Sequence, residues 1–205
     1  MNIDEVKKSL RTDLLKKRSS LTKDFQAKAS QMICSKLADL PEIKDVLSLA
    51  EPYFSIFYPM GDEVSLLAFV KEHPQAHYAL PVVLGTRTMK FVEVPAQTLL
   101  LPKDELDDFL VKPAKRAALP DNYPLVSPKD LTAMLIPGLG FDQNLYRIGY
   151  GGAFYDTFIS NYQDELKSVH LIGVGYDEQL IEKVPTDQYD RQLDIVVSTS
   201  KILRL

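Results

Sequence analysis

One cysteine in 205 residues removes several chemistries at once. Cys34 has no partner for an intramolecular disulfide, and no Cys-rich zinc site can be built around it. It lies in QMICSKLADL, where helical spacing sets it near Ile33 and Leu37, so a buried structural thiol is expected. The three histidines, His73, His77 and His170, sit in unrelated segments. No H-x-x-x-H or His–carboxylate spacing appears, which argues against a zinc hydrolase. A G-x-S-x-G elbow is also missing. No apolar run approaches the ~20 residues of a membrane span. The net charge of −4 offers no global basic field for nucleic acid, so an acidic or phosphorylated ligand would need a local cationic pocket. The opening MNIDEVKKSLRTDLLKK is charged throughout and does not read as a signal peptide; cytoplasm is the expected compartment.

What remains is a chain long enough for a substantial core, expected to form a single domain over residues 1–205. Val6, Leu10 and Leu14 recur at helical spacing in residues 3–17. A second helix is expected from about Thr22, a plausible N-cap, to Leu40, with Pro41 as its stop. YFSIFYP reads as a strand and EVSLLAFVKEH as a helix. HYALPVV and MKFVEV read as strands flanking a turn at Gly85. Residues 95–130 are rich in proline and charge and predict long loops with short helices. After them come a buried strand in LTAMLIP, a helix in GAFYDTFISNYQDEL, a strand in VHLIGVGY, a short helix or turn in EQLIEKVP, and a last strand in LDIVVST. Strands alternating with helices predict an α/β fold, a three-layer α/β/α sandwich with a mostly parallel central sheet. Such sheets place ligands at the carboxyl ends of their strands. Two strand ends are rich in candidate residues, Tyr58–Asp62 and Ile136–Asp142.

Glycine is scarce except in one place. Gly138, Gly140, Gly149, Gly151 and Gly152 are five of the nine glycines, and all lie within LIPGLGFDQNLYRIGYGGAFYD. The last three lead from a strand into a helix. Glycine permits positive φ and close approach of backbone to a ligand, and a helix N-terminus presents unpaired N–H groups, so the pattern fits an anion cradle. Arg147 just before it has a fork that suits phosphate oxygens. The spacing matches neither G-x-x-x-x-G-K-[ST] nor G-x-G-x-x-G, and a tight strand-to-helix turn explains the glycines equally well. Asp156, in the first turn of the helix, either complements the helix dipole or holds Mg²⁺ beside phosphates. Asp194, at a strand start, is either a solvated edge acid or its partner. Lys7 and Arg11 share a helix face; like charges four apart repel mildly, so the face is either simply solvated or shares an anion.

KKSLR, YPMGDEV, LIPGLGFD, RIGYGGAFYD and VPTDQYDRQLD, in this order and at these gaps, resemble the 5-formyltetrahydrofolate cyclo-ligase family, also called methenyltetrahydrofolate synthetases. The resemblance covers nearly the whole chain. It implies an enzyme, a ligase forming a C–N bond, that closes 5-formyltetrahydrofolate to 5,10-methenyltetrahydrofolate with ATP and Mg²⁺ and releases ADP and phosphate. In that chemistry the γ-phosphoryl moves to the formyl oxygen, N10 attacks the activated carbon, and phosphate leaves. The family's first-helix phosphate contact falls on Lys7, Lys8, Ser9, Leu10 and Arg11. Its nucleotide loop falls on Arg147, Ile148, Gly149, Tyr150, Gly151, Gly152, Ala153, Phe154 and Tyr155. Lys7, Arg11 and Arg147 are the implied catalytic charges. Phe57, Met60, Glu63 and Ser65 are implied folate contacts, with Tyr150, Phe154 and Tyr155 facing the same ligand. Asp156 and Asp194 are implied magnesium ligands. The partners are then 5-formyltetrahydrofolate and ATP, with no nucleic acid and no membrane, and a monomer is expected.

This chain departs from the family pattern at four places. Ala153 stands for a glycine and can open the helix only if its φ is negative, in which case Ala153→Gly would be nearly neutral. Phe154 stands for a tyrosine and lacks its hydroxyl. Ser65 stands where many members carry an acid, and Lys112 reverses a charge in the middle loop. Two other classes fit the same scaffold: an enzyme acting on a phosphorylated small molecule without ATP turnover, such as a sugar-phosphate isomerase, and a non-catalytic folate or nucleotide binder. The first has no need for Lys7, Arg11 and Asp156 together, and a degenerate binder would be expected to lose the phosphate or metal residues, all of which are present here.

Overall fold

The protein is described by a computed structural model covering residues 2–111 and 118–205. It opens with α1 (Ile3–Ser19), α2 (Lys23–Asp39) and α3 (Pro41–Leu47). Local chemistry explains these ends. Asn2 and Glu5 form a reciprocal capping box on α1, and the Thr22 hydroxyl accepts from the Phe25 N–H at 3.2 Å to start α2. Pro41 ends α2 as expected. It also opens α3, where its missing N–H leaves no bond unmade. There follow β1 (Tyr53–Ser55), α4 (Leu67–Glu72), β2 (His77–Leu84), β3 (Thr88–Glu93), the one-turn helices α5 (Ala96–Leu99) and α6 (Asp108–Val111), and β4 (Leu125–Val126). Then come β5 (Ala133–Pro137), a hairpin of β6 (Gly140–Phe141) and β7 (Arg147–Ile148), α7 (Phe154–Asn161), β8 (His170–Val174), β9 (Ile195–Val197) and β10 (Ile202–Arg204).

The strands form one sheet in the order β10-β9-β8-β5-β1-β2-β3-β4. The five central strands are parallel, and the pairs β10–β9, β2–β3 and β3–β4 are antiparallel. Alternate side chains build two cores. Phe54, Tyr78, Leu80, Leu135 and Ile172 point to one face, where α2, α3 and α4 cover them. Ala79, Phe91, Met134, Ile136 and Val196 point to the other, against α7 and Phe141 and Leu145 of the hairpin. The α/β sandwich read from the pattern is therefore the fold. The hairpin and β10 were not legible as strands, because two or three residues carry no period. The helix after the glycines stops at Asn161, short of the expected Leu166. Cys34 is 1% exposed and its thiol is pushed up to about 11 by burial, as a core thiol should be. No helix among the described residues is long and apolar enough to cross a membrane.

At the amino ends of β1 and β2 a polar staple joins three strands. Tyr53 and His77 are register partners, and their rings stack at 4.3 Å. His77 Nδ1 lies 2.6 Å from Glu93 and Nε2 lies 2.6 Å from Glu51; the Tyr53 hydroxyl donates to Glu93 at 3.0 Å. The hydrogen bond to Glu93 is the main cause that raises the His77 pKa above its usual value. A raised folded-state pKa stabilises fully below the unfolded value of about 6.5 and is lost as pH rises through the folded one. His77→Gln should therefore reduce stability most below about pH 6.5, with the gap to wild type closing as pH rises; urea unfolding across a pH series measures it.

Candidate active site

A cleft of about 1030 Å³ opens at the carboxyl ends of β1, β2 and β5. One wall is the segment from β7 into α7. Gly151 sits at φ +96°, which L side chains rarely adopt, and a Cβ there would come within 3.3 Å of the Arg11 guanidinium carbon. A Cβ on Gly152 would meet the Phe154 ring at 2.4 Å. Arg11 Nε donates to the Gly149 carbonyl at 2.9 Å, so α1 grips the loop directly.

The charges of this wall are arranged in pairs. Arg147 Nη2 donates to Asp156 Oδ2 at 2.9 Å, and Asp156 Oδ1 accepts from the Arg191 N–H at 3.2 Å. The Arg147 guanidinium lies 5.3 Å from the Tyr155 ring centroid. Arg147 Nε and the Tyr155 hydroxyl are both buried with no hydrogen-bond partner among the described residues. Two orphaned donors at one cleft wall are costly in the protein alone and suit a ligand that accepts from them. Buried Lys7 donates to Asp187 at 2.8 Å and to Asp190 at 2.6 Å. Burial works against its ammonium, but the two hydrogen bonds outweigh it and hold the pKa above normal.

A second part of the lining is aromatic and apolar: Phe57, Tyr58, Met60, Met89, Phe109 and Leu110, with Phe154 at the start of α7. One carboxylate stands in it. Glu63 is 7% exposed; Oε2 accepts from the Met60 N–H at 2.9 Å, and Oε1 accepts from the Tyr150 hydroxyl at 2.6 Å. Burial raises its pKa, and the Tyr150 and Met60 hydrogen bonds oppose that rise.

The sequence of residues 3–199 matches the model of the 5-formyltetrahydrofolate cyclo-ligase family. The chain belongs to that family. It is 26% identical to the 5-formyltetrahydrofolate cyclo-ligase of Haemophilus influenzae over 196 residues, covering 93% of this chain and 97% of that one. Its match to the probable 5-formyltetrahydrofolate cyclo-ligase of Schizosaccharomyces pombe is 31% over 83 residues, and spans only 37% of this chain and 41% of that protein. Among solved structures, Aquifex aeolicus 5,10-methenyltetrahydrofolate synthetase superposes with a TM-score of 0.70 at 27% identity, over 98% of this chain and 93% of that one.

The family's implied residues separate clearly in space. Lys7, Arg11, Phe57, Met60, Glu63 and every residue from Arg147 to Asp156 line the one cleft. Lys8 and Ser9 are exposed outside it, and Leu10 packs against the cluster of Leu14, Leu139, Ile148 and Val184, so only Lys7 and Arg11 of the helix motif reach the cleft. Ser65 also falls outside: its N–H donates to Ser30 and its carbonyl accepts from Cys34, facing α2. Lys112 lies outside the described residues. Asp194 is the larger correction. It is exposed at the amino end of β9, where it accepts from the Leu171 N–H at 2.7 Å, in a separate depression with Glu42, His170 and Arg204. A residue immediately before a parallel strand lies at the edge opposite to one that follows a strand, so Asp194 and Asp156 are not brought together. Asp190, four residues earlier in the same motif, is the acid that lines the cleft with Asp156, and Asp187 accompanies it. The position of LDIVVST as a strand carried that signal: the last acid before it had to lie on the far edge.

Ala153 is also corrected. It caps α7 at φ 53°, ψ 23°, in the left-handed region, not with the negative φ that an alanine favours. Ala153→Gly should then stabilise the protein by about 0.5–1 kcal/mol, a gain read as a higher midpoint in urea unfolding; an unchanged or lower midpoint would show that no strain is stored there.

Proposed function

We propose that the protein closes 5-formyltetrahydrofolate to 5,10-methenyltetrahydrofolate, consuming ATP and releasing ADP and phosphate. The observation that carries this reading is the pairing of two unlike walls in one cleft. A glycine loop with Lys7, Arg11 and Arg147 suits a polyphosphate, and it faces an aromatic wall with one buried carboxylate that suits a planar, hydrogen-bonding pterin. The two ligands would meet at the loop, where Tyr150 and Phe154 belong to both walls.

In this chain the reaction is a matter of positioning and charge. Arg11 and Arg147 orient the phosphate chain, and the orphaned Arg147 Nε is an available donor for it. Lys7 is held between Asp187 and Asp190 and can transfer its donors to an incoming anion. Glu63 orients the pterin ring so that the formyl oxygen faces the nucleotide. Moving phosphoryl to that oxygen turns a poor leaving group into phosphate, which departs as N10 forms the new C–N bond. Among the described residues no three His, Cys, Asp or Glu are grouped to hold a metal alone. Mg²⁺ needs only one or two carboxylates when phosphates complete its shell, and Asp156 and Asp190 fit that requirement. Mg²⁺ would supply neutralisation of phosphate charge there.

Purified protein with ATP, Mg²⁺ and 5-formyltetrahydrofolate should show the absorbance of the methenyl product only when all three are present; product without ATP, or none at all from folded protein, would refute the assignment. Lys7→Ala should raise the KM for ATP by roughly tenfold with the fold intact. Asp156→Asn should remove most turnover and raise the magnesium requirement, and an unchanged magnesium response would remove that residue from the metal site.

A further inference from the structure

Arg18 is a buried charge that lies outside the cleft lining. It sits in the last turn of α1, where an arginine ordinarily reaches water beside the helix carboxyl end, yet it is 3% exposed. A buried guanidinium is tolerated only with full pairing. Nε donates to Asp62 Oδ1 at 2.8 Å, Nη2 donates to the Tyr150 hydroxyl at 2.6 Å, and Nη1 lies 3.9 Å from Glu63 Oε1. The Ser19 hydroxyl donates to the other Asp62 oxygen at 2.5 Å. The Tyr150 hydroxyl passes its own proton on to Glu63 as a hydrogen bond of 2.6 Å.

The chain of contacts is directional: Asp62 anchors Arg18, Arg18 orients Tyr150, and Tyr150 orients Glu63. Arg18 itself does not line the cleft, so it cannot act by touching a ligand. The Tyr150 residue is 47% exposed, so packing alone does not hold it; its hydroxyl is the fixed end. Arg11 and Arg18 are seven residues, roughly 10 Å, apart along α1. They hold the same loop at two points, Arg11 at the Gly149 carbonyl and Arg18 at the Tyr150 hydroxyl. The second point also reaches the loop after β1.

We infer that Arg18 is a positioning residue for the pterin side of the cleft, holding Tyr150 and, through it, the Glu63 carboxylate in the geometry that receives the folate. This rests on the cyclo-ligase reading for the identity of the ligand. None of the hydrogen bonds or ion pairs of Arg18 goes to Lys7, Arg11, Arg147 or Asp156; they go to Asp62, Glu63 and the Tyr150 hydroxyl, so its effect falls mainly on the pterin side. It also favours the ionised form of Glu63. The groups acting on Glu63 are Arg18 from α1, Asp62 beside it, Tyr150 and Tyr155 from the glycine loop and α7, and Tyr176 after β8. Of these only Arg18 is cationic.

The test is a double-mutant cycle on binding, with Arg18→Gln, Tyr150→Phe and the pair, titrating 5-formyltetrahydrofolate and separately a non-hydrolysable ATP analogue by calorimetry. Arg18→Gln should weaken the folate by roughly tenfold and the nucleotide by less than about twofold. In the Tyr150→Phe background the same change should cost less than about twofold, because the link it acts through is gone. Arg18→Gln should also move the acid limb of folate binding to higher pH. Equal losses in both backgrounds, or equal losses for both ligands, would reduce Arg18 to general support of the fold and overturn the inference. Should Arg18→Gln not fold, Asp62→Asn loosens the same guanidinium and enters the cycle in its place. Wild-type protein that binds folate without turning it over refutes the cyclo-ligase reading and leaves the cycle to decide Arg18; wild type that binds no folate overturns both.

Discussion

The hydrogen bond from Arg11 Nε to the Gly149 carbonyl is the contact on which the site depends. The β7–α7 segment is not shaped by its own preferences. It places Gly151 at φ +96° and a non-glycine residue, Ala153, at φ 53°. Glycine adopts such a conformation freely, but alanine keeps it only where its surroundings over-determine it. The polar side chains of α1 fix the residues just before it, Arg11 at the Gly149 carbonyl and Arg18 at the Tyr150 hydroxyl. Leu14 seats the helix on Leu139, Ile148 and Val184; Lys7 and Arg11 then reach the cleft, and Arg18 reaches the Tyr150 hydroxyl behind it. A helix whose buried face carries three cations is costly alone, and each cation is matched by an oxygen supplied by a distant segment.

That matching gives the unliganded site its character. Lys7 is neutralised by Asp187 and Asp190, Arg147 by Asp156, and Arg18 by Asp62 with Glu63 nearby. The repulsion expected between Lys7 and Arg11 is therefore absorbed within the protein before any anion arrives. On the cyclo-ligase reading proposed above, a polyphosphate entering the cleft would exchange partners with these carboxylates, and a cation accompanying it would take up the carboxylates released. The low dielectric around Arg147 and Lys7 makes each exchange selective for a ligand that replaces every bond it breaks.

Much of this was legible from residue order. Continuous apolar runs in LTAMLIP and LDIVVST and helical spacing before Leu14 placed the layers, and the carboxyl-end rule for parallel sheets directed attention to Tyr58–Asp62 and to the glycines. What stayed hidden depended on distance in the chain. The hairpin within PGLGFDQNLYRI is two residues per strand and is organised by Asp142, whose oxygens accept from the N–H groups of Asn144, Tyr146 and Val184. No periodicity reports such a turn. In VPTDQYDRQLD the strand start at LDIVVST argues against Asp194 but does not point to Asp190, whose place in the cleft rests on Lys7, 183 positions away.

The sequence by itself determined the layers, the family, and which residue types meet in the glycine loop, because periodicity, turn chemistry and motif order are local and survive in one dimension. The tertiary structure alone decided that Asp190 lines the cleft with Asp156, that Ala153 is left-handed, and that Arg18 turns inward to Tyr150. Asp190 is held by Lys7, 183 positions away, and Arg18 by Tyr150, 132 positions away, and a chain carries no local record of which distant partner its folding will bring within hydrogen-bond reach.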